Sequence, residues 1–335
     1  MNKRVTTVIL FSLLFLICWT RAYAQDGDDL EPEPLILGGD QSDFPLGLYL
    51  ELLEDPGGEL TIEDVASADY DARFLPSQEK VPIFGFTDSA YWARLRLRND
   101  SPAIERWLLE LAFENMHFVD LYSPLADGEG FEVRQTGAMR PLETRDIAHP
   151  HIVFDLTLPD QSEQTLYMRF QNGDSMSLPL TLWEPVAFFA QSQQMQMVQG
   201  VFLGIMFGLL AYNLFLLISI RDVSYLYLVL LFSGIILFEM SQTSILEVYL
   251  APGLYAQKQF LIISADVLIF ISLILFNDTF LSMKTLFPTI HRLNMALVGV
   301  WAVLWLLNFF ASYTFMGNLI PPFVVITLVV TAVEV

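Results

Sequence analysis

The sequence is poor in sulfur and in positive charge. Its single cysteine, Cys18, lies in an apolar N-terminal run and follows Ile17, not the small residue a lipoprotein signal needs. The rest of the chain has no thiol and no disulfide, so an exported domain here must rest on a core of its own. Lys and Arg number 17 against 38 Asp and Glu, a formal net charge of −21. That balance excludes nucleic acid as a partner. There is no Walker loop, no Gly-x-Ser-x-Gly elbow, no His-Glu-x-x-His and no paired acidic site for DNA chemistry. Neither an enzyme nor a cofactor is expected.

Charge and hydrophobicity are unevenly distributed. Lys3 and Arg4, the apolar run Val8 to Trp19 and the small-x-small triplet Ala22-Tyr23-Ala24 read as a secretory signal peptide over residues 1–24. Residues 25–197 hold 32 Asp/Glu against 10 Lys/Arg, whereas only ten charged residues follow position 197. An acidic exported domain followed by a membrane domain is the expected order. Residues 25–40, with "DGDDLEPEP", read as an acidic disordered leader.

From 41 to 187 short alternating runs are broken by turn residues. "WARLRLRN" puts Ala93, Leu95 and Leu97 on one side and Arg94, Arg96 and Arg98 on the other. "WLLELAF" (107–113), "HIVFDLTL" (151–158), "TLYMRF" (165–170) and "PLTLW" (179–183) repeat the pattern, which predicts an all-β antiparallel sandwich. One helical segment is expected near 60–68, where Thr61 precedes Asp64 as in a capping box. Residues 188–197 read as a stiff helical connector without Gly or Pro. An all-α polytopic bundle over 198–335 follows, with apolar spans near 198–219, 224–245, 260–281, 294–315 and 319–335. Arg221, Lys284, His291 and Arg292 fall in loops on one side and Lys258 on the other, which puts the β domain outside. The last run ends at Val335 with Glu334 as its only charge, and the expectation is a chain that continues further.

The arginine row offers planar donors for carboxylate, phosphate or sugar hydroxyls, with Tyr91 and Trp92 beside it for stacking. The alternative is a row of cross-strand partners for acids on a wet face. Trp107 and Trp183 divide the same way between stacking and core. His149 and His151 share one face, but spacing identifies no third or fourth ligand, and no metal is expected. In the spans, Glu239 and Asp266 lie at matching distances from the outer end, where they could flank a cavity. Asn213 and Asn277 lie near the cytoplasmic ends and read as structural hydrogen-bonding groups between helices.

Four stretches carry a family resemblance: "LYLELLEDPGGELTIEDV" (48–65), "FGFTDSAYWARLRLRN" (84–99), "MRPLETRDIAHPHIVFDL" (139–156) and "LPLTLWEPVAF" (178–188). With "GIMFGLLAYNLFLLISIRDVSYLYLVLLF" (204–232), they resemble the bacterial seven-transmembrane receptors with diverse intracellular signalling modules, in the subclass with the type-2 extracellular domain. The resemblance implies a jelly-roll similar to carbohydrate-binding modules and a seven-helix bundle with a cytoplasmic output. The chain would be a multi-pass inner-membrane receptor with a small, carbohydrate-related periplasmic ligand, lipid around its spans and a second copy of itself as a partner. Its rivals are a transporter or channel component with a periplasmic lid, and an envelope module that binds another protein. Against the transporter, the spans show no internal repeat and no pair broken by Gly or Pro.

Overall fold

In a computed structural model, the described residues are 34–333 apart from 126, 127, 129, 174 and 312. The signal peptide and the start of the acidic leader lie outside them. The chain forms two compact units. The first takes residues 34–205 and adds Ile236–Ile262; the second takes Met206–Ile235 and residues 263–333.

Among its described residues the first unit has thirteen strands: β1 (Leu35–Leu37), β2 (Asp43–Pro45), β3 (Leu50–Asp55), β4 (Leu75–Pro76), β5 (Ile83–Phe86), β6 (Ala90–Asn99) and β7 (Arg106–Leu111). The rest are β8 (Phe118–Pro124), β9 (Phe131–Thr136), β10 (Ile152–Thr157), β11 (Glu163–Gln171), β12 (Ser175–Ser177) and β13 (Leu180–Trp183). A large sheet runs β4-β3-β6-β11-β8-β9, a second runs β10-β7-β13-β2, and β5 pairs with β12. Their ladders are antiparallel except where β1 lies parallel to β6, with Leu35 opposite Leu97. The leader therefore ends earlier than expected: Leu35 and Leu37 alternate with exposed Ile36, and both are buried in the core.

The two sheets face each other across one apolar core. Leu95, Leu97, Leu166, Met168 and Leu121 come from the large sheet; Trp107, Leu109, Leu111, Phe154, Leu156 and Leu182 come from the second. These are the inward positions of the alternating runs, so period two fixed both faces. The other face of the large sheet is not wet as expected. Two short helices, α1 (Ile62–Val65) and α2 (Ala68–Asp71), lie over it. Ile62, Val65 and Phe74 pack there on Leu53, Trp92 and Tyr167. The start of α1 is a capping box: the Thr61 amide donates to Asp64 Oδ2 at 2.9 Å, and the Asp64 amide donates to Thr61 Oγ1 at 3.4 Å.

Among the described residues, five helices are long and apolar enough to span a bilayer. They are α3 (Pro185–Ile220), α4 (Val223–Gln242), α5 (Lys258–Phe280), α7 (Pro288–Leu307) and α8 (Tyr313–Val333), with the single turn α6 (Met283–Leu286) between the third and fourth. The connector and the first span are one 36-residue helix, about 54 Å at 1.5 Å per residue. It begins two residues after β13, earlier than drawn from sequence, because Pro185 suits a first helical turn. The fourth span is shifted the same way. Pro288 opens it, and it ends at Leu307 rather than near 315. In the second unit Phe270 stacks on Trp301 at 4.8 Å, and Trp301 Nε1 donates to Thr327 Oγ1 at 2.9 Å. Gly234 sits hard against α5: a Cβ there would lie 2.9 Å from Ile269 Cγ1.

Candidate functional site

The arginine row divides into three environments. Arg94 is 5% exposed and donates from Nε and Nη2 to the two Glu51 oxygens, each at 2.8 Å. Its Nη1 pairs with Asp71 of α2, and the guanidinium stands 4.5 Å over the Phe74 ring. Burial opposes its charge, but the bonds to Glu51 and Asp71 outweigh that and hold it above the ordinary arginine range. Each nitrogen of the Arg94 guanidinium thus has an acceptor within the domain. Arg96 is partly open and reaches Glu51 at 3.3 Å; Arg98 is open and pairs with Asp100 at 2.9 Å. Trp92 is fully buried and offers no ring face to a ligand. Tyr91 stacks on Phe84 at 3.9 Å, half-buried. Trp107 is in the core.

The intramembrane residues belong to both units. Glu239 is half-buried in the last turn of α4, and its carbonyl accepts from the Thr243 hydroxyl at 2.7 Å. Asp266 is half-buried in α5, in the other compact unit. Asn213 donates to the Leu209 carbonyl of its own helix at 2.8 Å, where a bond between helices was expected. Asn277 is half-buried near the end of α5. Its neighbour Asp278 makes the contacts: His291 Nδ1 approaches its carboxylate at 2.8 and 3.0 Å, and Asn294 donates to it at 3.3 Å.

A buried polar cluster lies in the first unit, where sequence spacing placed no site. Glu110 is on β7, buried, with Oε1 2.5 Å from His151 Nδ1 and Oε2 accepting from Trp183 Nε1 at 2.7 Å. His151 Nε2 faces Glu114 at 3.3 Å. His149 Nδ1 accepts the His151 amide at 3.0 Å, so its ring proton sits on Nε2 and points to Ser192 Oγ of α3 at 2.8 Å. Arg145 closes the loop by donating to the carbonyls of His149 and Pro150.

The two histidines are pushed in opposite directions. Burial and the neighbouring His151 charge lower His149 to about 4. Burial also works against charge on His151, but the bonds and charges of Glu110 and Glu114 prevail and raise it to about 9. At neutral pH His151 is therefore an imidazolium clamped between two carboxylates, beside a neutral His149. Glu114 is held low, against burial, by its bond to His151.

The same cluster reaches the loop between α4 and α5. Lys258 Nζ donates to the Glu114 carbonyl at 3.3 Å and to Ser244 Oγ at 2.7 Å. Asn115 donates to Gln242 at 2.9 Å, and His117 meets Gln259. Glu247 is buried; burial raises its pKa, partly offset by the charge of Lys258, by its own backbone amide and by the charge of Arg145. Phe188, in the first turns of α3, is buried among Leu108, Val153 and Trp183. The sheet, the start of the first span and the loop between α4 and α5 are thus held together by one packed, charged junction.

A β-sheet domain keyed through such a junction into apolar spans has the build of a multi-pass membrane receptor. Residues 47–184 match the family described as 7TMR-DISM extracellular 2, and residues 195–333 match 7TM diverse intracellular signalling. The chain belongs to this family of membrane receptors, which pair an extracellular domain with a seven-transmembrane part. No curated protein matches it in sequence.

Proposed function

We propose that the chain is a bacterial inner-membrane receptor without catalysis of its own. In this reading a signal peptide exports the β domain to the periplasm. There the domain, a jelly-roll in kind, binds a small, carbohydrate-related or anionic ligand and passes its state to the spans. The observation that carries the reading is the junction. Phe188 and Ser192, on the first turns of α3, are held by the sheet domain itself, through Leu108 and Val153 and through His149. A shift in β7, β10 or β13 therefore moves the head of the first span, with no flexible linker to absorb it. Biasing such a two-state element takes only a few kcal/mol of differential ligand affinity. Arg96 and Arg98, whose guanidinium groups remain open, are the ligand donors this reading retains from the row.

The test is hydrogen exchange on the full chain in lipid nanodiscs, against a panel of sugar acids and small anions. A bound compound should change protection in 185–199 and 244–258 as well as in the sheet. Replacing Arg96 and Arg98 with Gln should weaken its affinity. A saturating ligand that protects the sheet but leaves 185–199 unchanged would refute transmission through α3.

A further inference from the structure

We propose that Glu110, His149 and His151 form a binding site for one divalent transition-metal ion of the zinc class. One donor atom from each of the three lies within 4.8 Å of the others, and all three residues are buried. Backbone pairing brings them together. Glu110 of β7 stands opposite Val153 of β10, and both histidines immediately precede that strand. Imidazole and carboxylate donors suit zinc, cobalt, nickel and copper; calcium and magnesium take oxygen-only sets.

The available lone pairs follow from the hydrogen bonds. His149 carries its proton on Nε2, toward Ser192, so its lone pair is on Nδ1, which now accepts the His151 amide. His151 turns Nε2 toward Glu114 and Nδ1 toward Glu110. Both rings thus offer Nδ1, and both keep Nε2–H on a partner. A carboxylate behind a ligating histidine is the usual outer support of a metal site, and Glu114 occupies that place. Trp183 Nε1, bonded to Glu110 Oε2, fixes the third donor in the same way and leaves Oε1 to the ion.

The ion would take the place of the proton now shared between His151 Nδ1 and Glu110, and of the 3.0 Å amide contact to His149. Zinc holds nitrogen and oxygen donors at about 2.0–2.2 Å, which puts donor pairs about 3.5 Å apart. To reach that spacing the cluster tightens by at most about 1.3 Å at its widest, and the Glu110–His151 pair, now at 2.5 Å, opens by about 1 Å. Three protein donors leave one tetrahedral position for water or a small anion. The site would pin β7 and the 145–151 segment together beside Ser192 of α3. Its existence does not depend on the receptor reading.

The test uses the full chain without a histidine tag, stripped by chelator in nanodiscs and titrated with Zn2+ and then Co2+. The expected result is one ion per chain. Co2+ should give the visible spectrum of a four- or five-coordinate site, and Zn2+ an X-ray absorption spectrum with two imidazoles in the first shell. Binding should survive His117→Gln and His291→Gln, the only other histidines. It should be lost in His149→Gln and Glu110→Gln, and fall about 10- to 100-fold in Glu114→Gln. Absence of a stoichiometric ion overturns the proposal, as does binding that persists in both ligand variants or is lost in the control variants. If the ligand variants fail to fold, the wild-type absorption spectrum decides: a first shell without imidazole refutes the site.

Discussion

The three arginines of β6 should not be equal in stability. Arg94 donates twice to Glu51, which is itself 8% exposed, so Arg94→Gln strands a buried carboxylate. Breaking a buried pair from one side costs about 3–5 kcal/mol. Two features reduce that figure. Arg96 Nη2 already lies 3.3 Å from Glu51 and can close on it, and the Asp71 partner is largely exposed and contributes little. About 2–4 kcal/mol is the resulting expectation for Arg94→Gln. Arg98→Gln removes one open pair and should cost about 0–1 kcal/mol. Urea unfolding of a soluble fragment over residues 25–197, followed by tryptophan fluorescence, measures both. In a domain of this size the Arg94 loss corresponds to roughly 5–15 °C in Tm. Glu51→Gln in the Arg94→Gln background should restore part of the loss, because it removes the stranded charge. Equal, sub-kilocalorie costs at 94 and 98 would refute the buried-pair argument, as would a double variant as unstable as the two single losses added together.

Three other outcomes follow from the same contacts. With chelator present, the junction should be most stable near pH 6.5. His151, raised to about 9, contributes stability that is complete below its unfolded value and lost as pH rises through 9; His149, lowered to about 4, contributes stability present above 6.5 and lost as pH falls through 4. Melting of the full chain from pH 4 to 10 checks this, and a His151→Gln variant that keeps the alkaline decline would contradict it. Gly234→Leu should destabilise the second unit by about 1–3 kcal/mol through overpacking against Ile269, read as a lower melting point in detergent with the sheet domain's signal unchanged. Single cysteines at Gly128 and Arg221, probed with an impermeant maleimide after the outer membrane is permeabilised, should label at Gly128 and not at Arg221; the reverse pattern would invert the proposed orientation.

Much of the sheet was legible because alternation is a local signal. β6, β7, β10, β11 and β13 fall where the sequence shows period two, and Leu95, Leu109, Phe154 and Leu166 are in the core as that period requires. The depth of a position on the other face was not legible. Arg94, Arg96 and Arg98 are indistinguishable by spacing, yet the first is buried, the second half-buried and the third exposed. The difference comes from Phe74 and Asp71, which lie about twenty residues upstream and cross β6 only in the folded chain. The membrane helices were legible as lengths and not as an arrangement. They are apolar on every side, so no stripe marks which face meets a neighbour.

The junction shows most clearly why the candidate site was hidden. Glu110 stands between Leu109 and Leu111 in "WLLELAF", where alternation assigns it to the outward face, and in a lone sheet that face would be wet. It is buried because β7 runs between β10 and β13 and because residues from beyond the sheet cover that face. Phe188 packs on Leu108 and Val153, and Trp183 turns its ring nitrogen onto Glu110. The helix that covers the face is the one that leaves for the membrane. Once the face is covered, a carboxylate there needs a charged partner, and His151 supplies it 41 residues away. The pair is therefore a consequence of docking α3 onto the sheet. If α3 lifts, Glu110 and His151 regain water and their mutual attraction weakens; if α3 seats, the pair tightens.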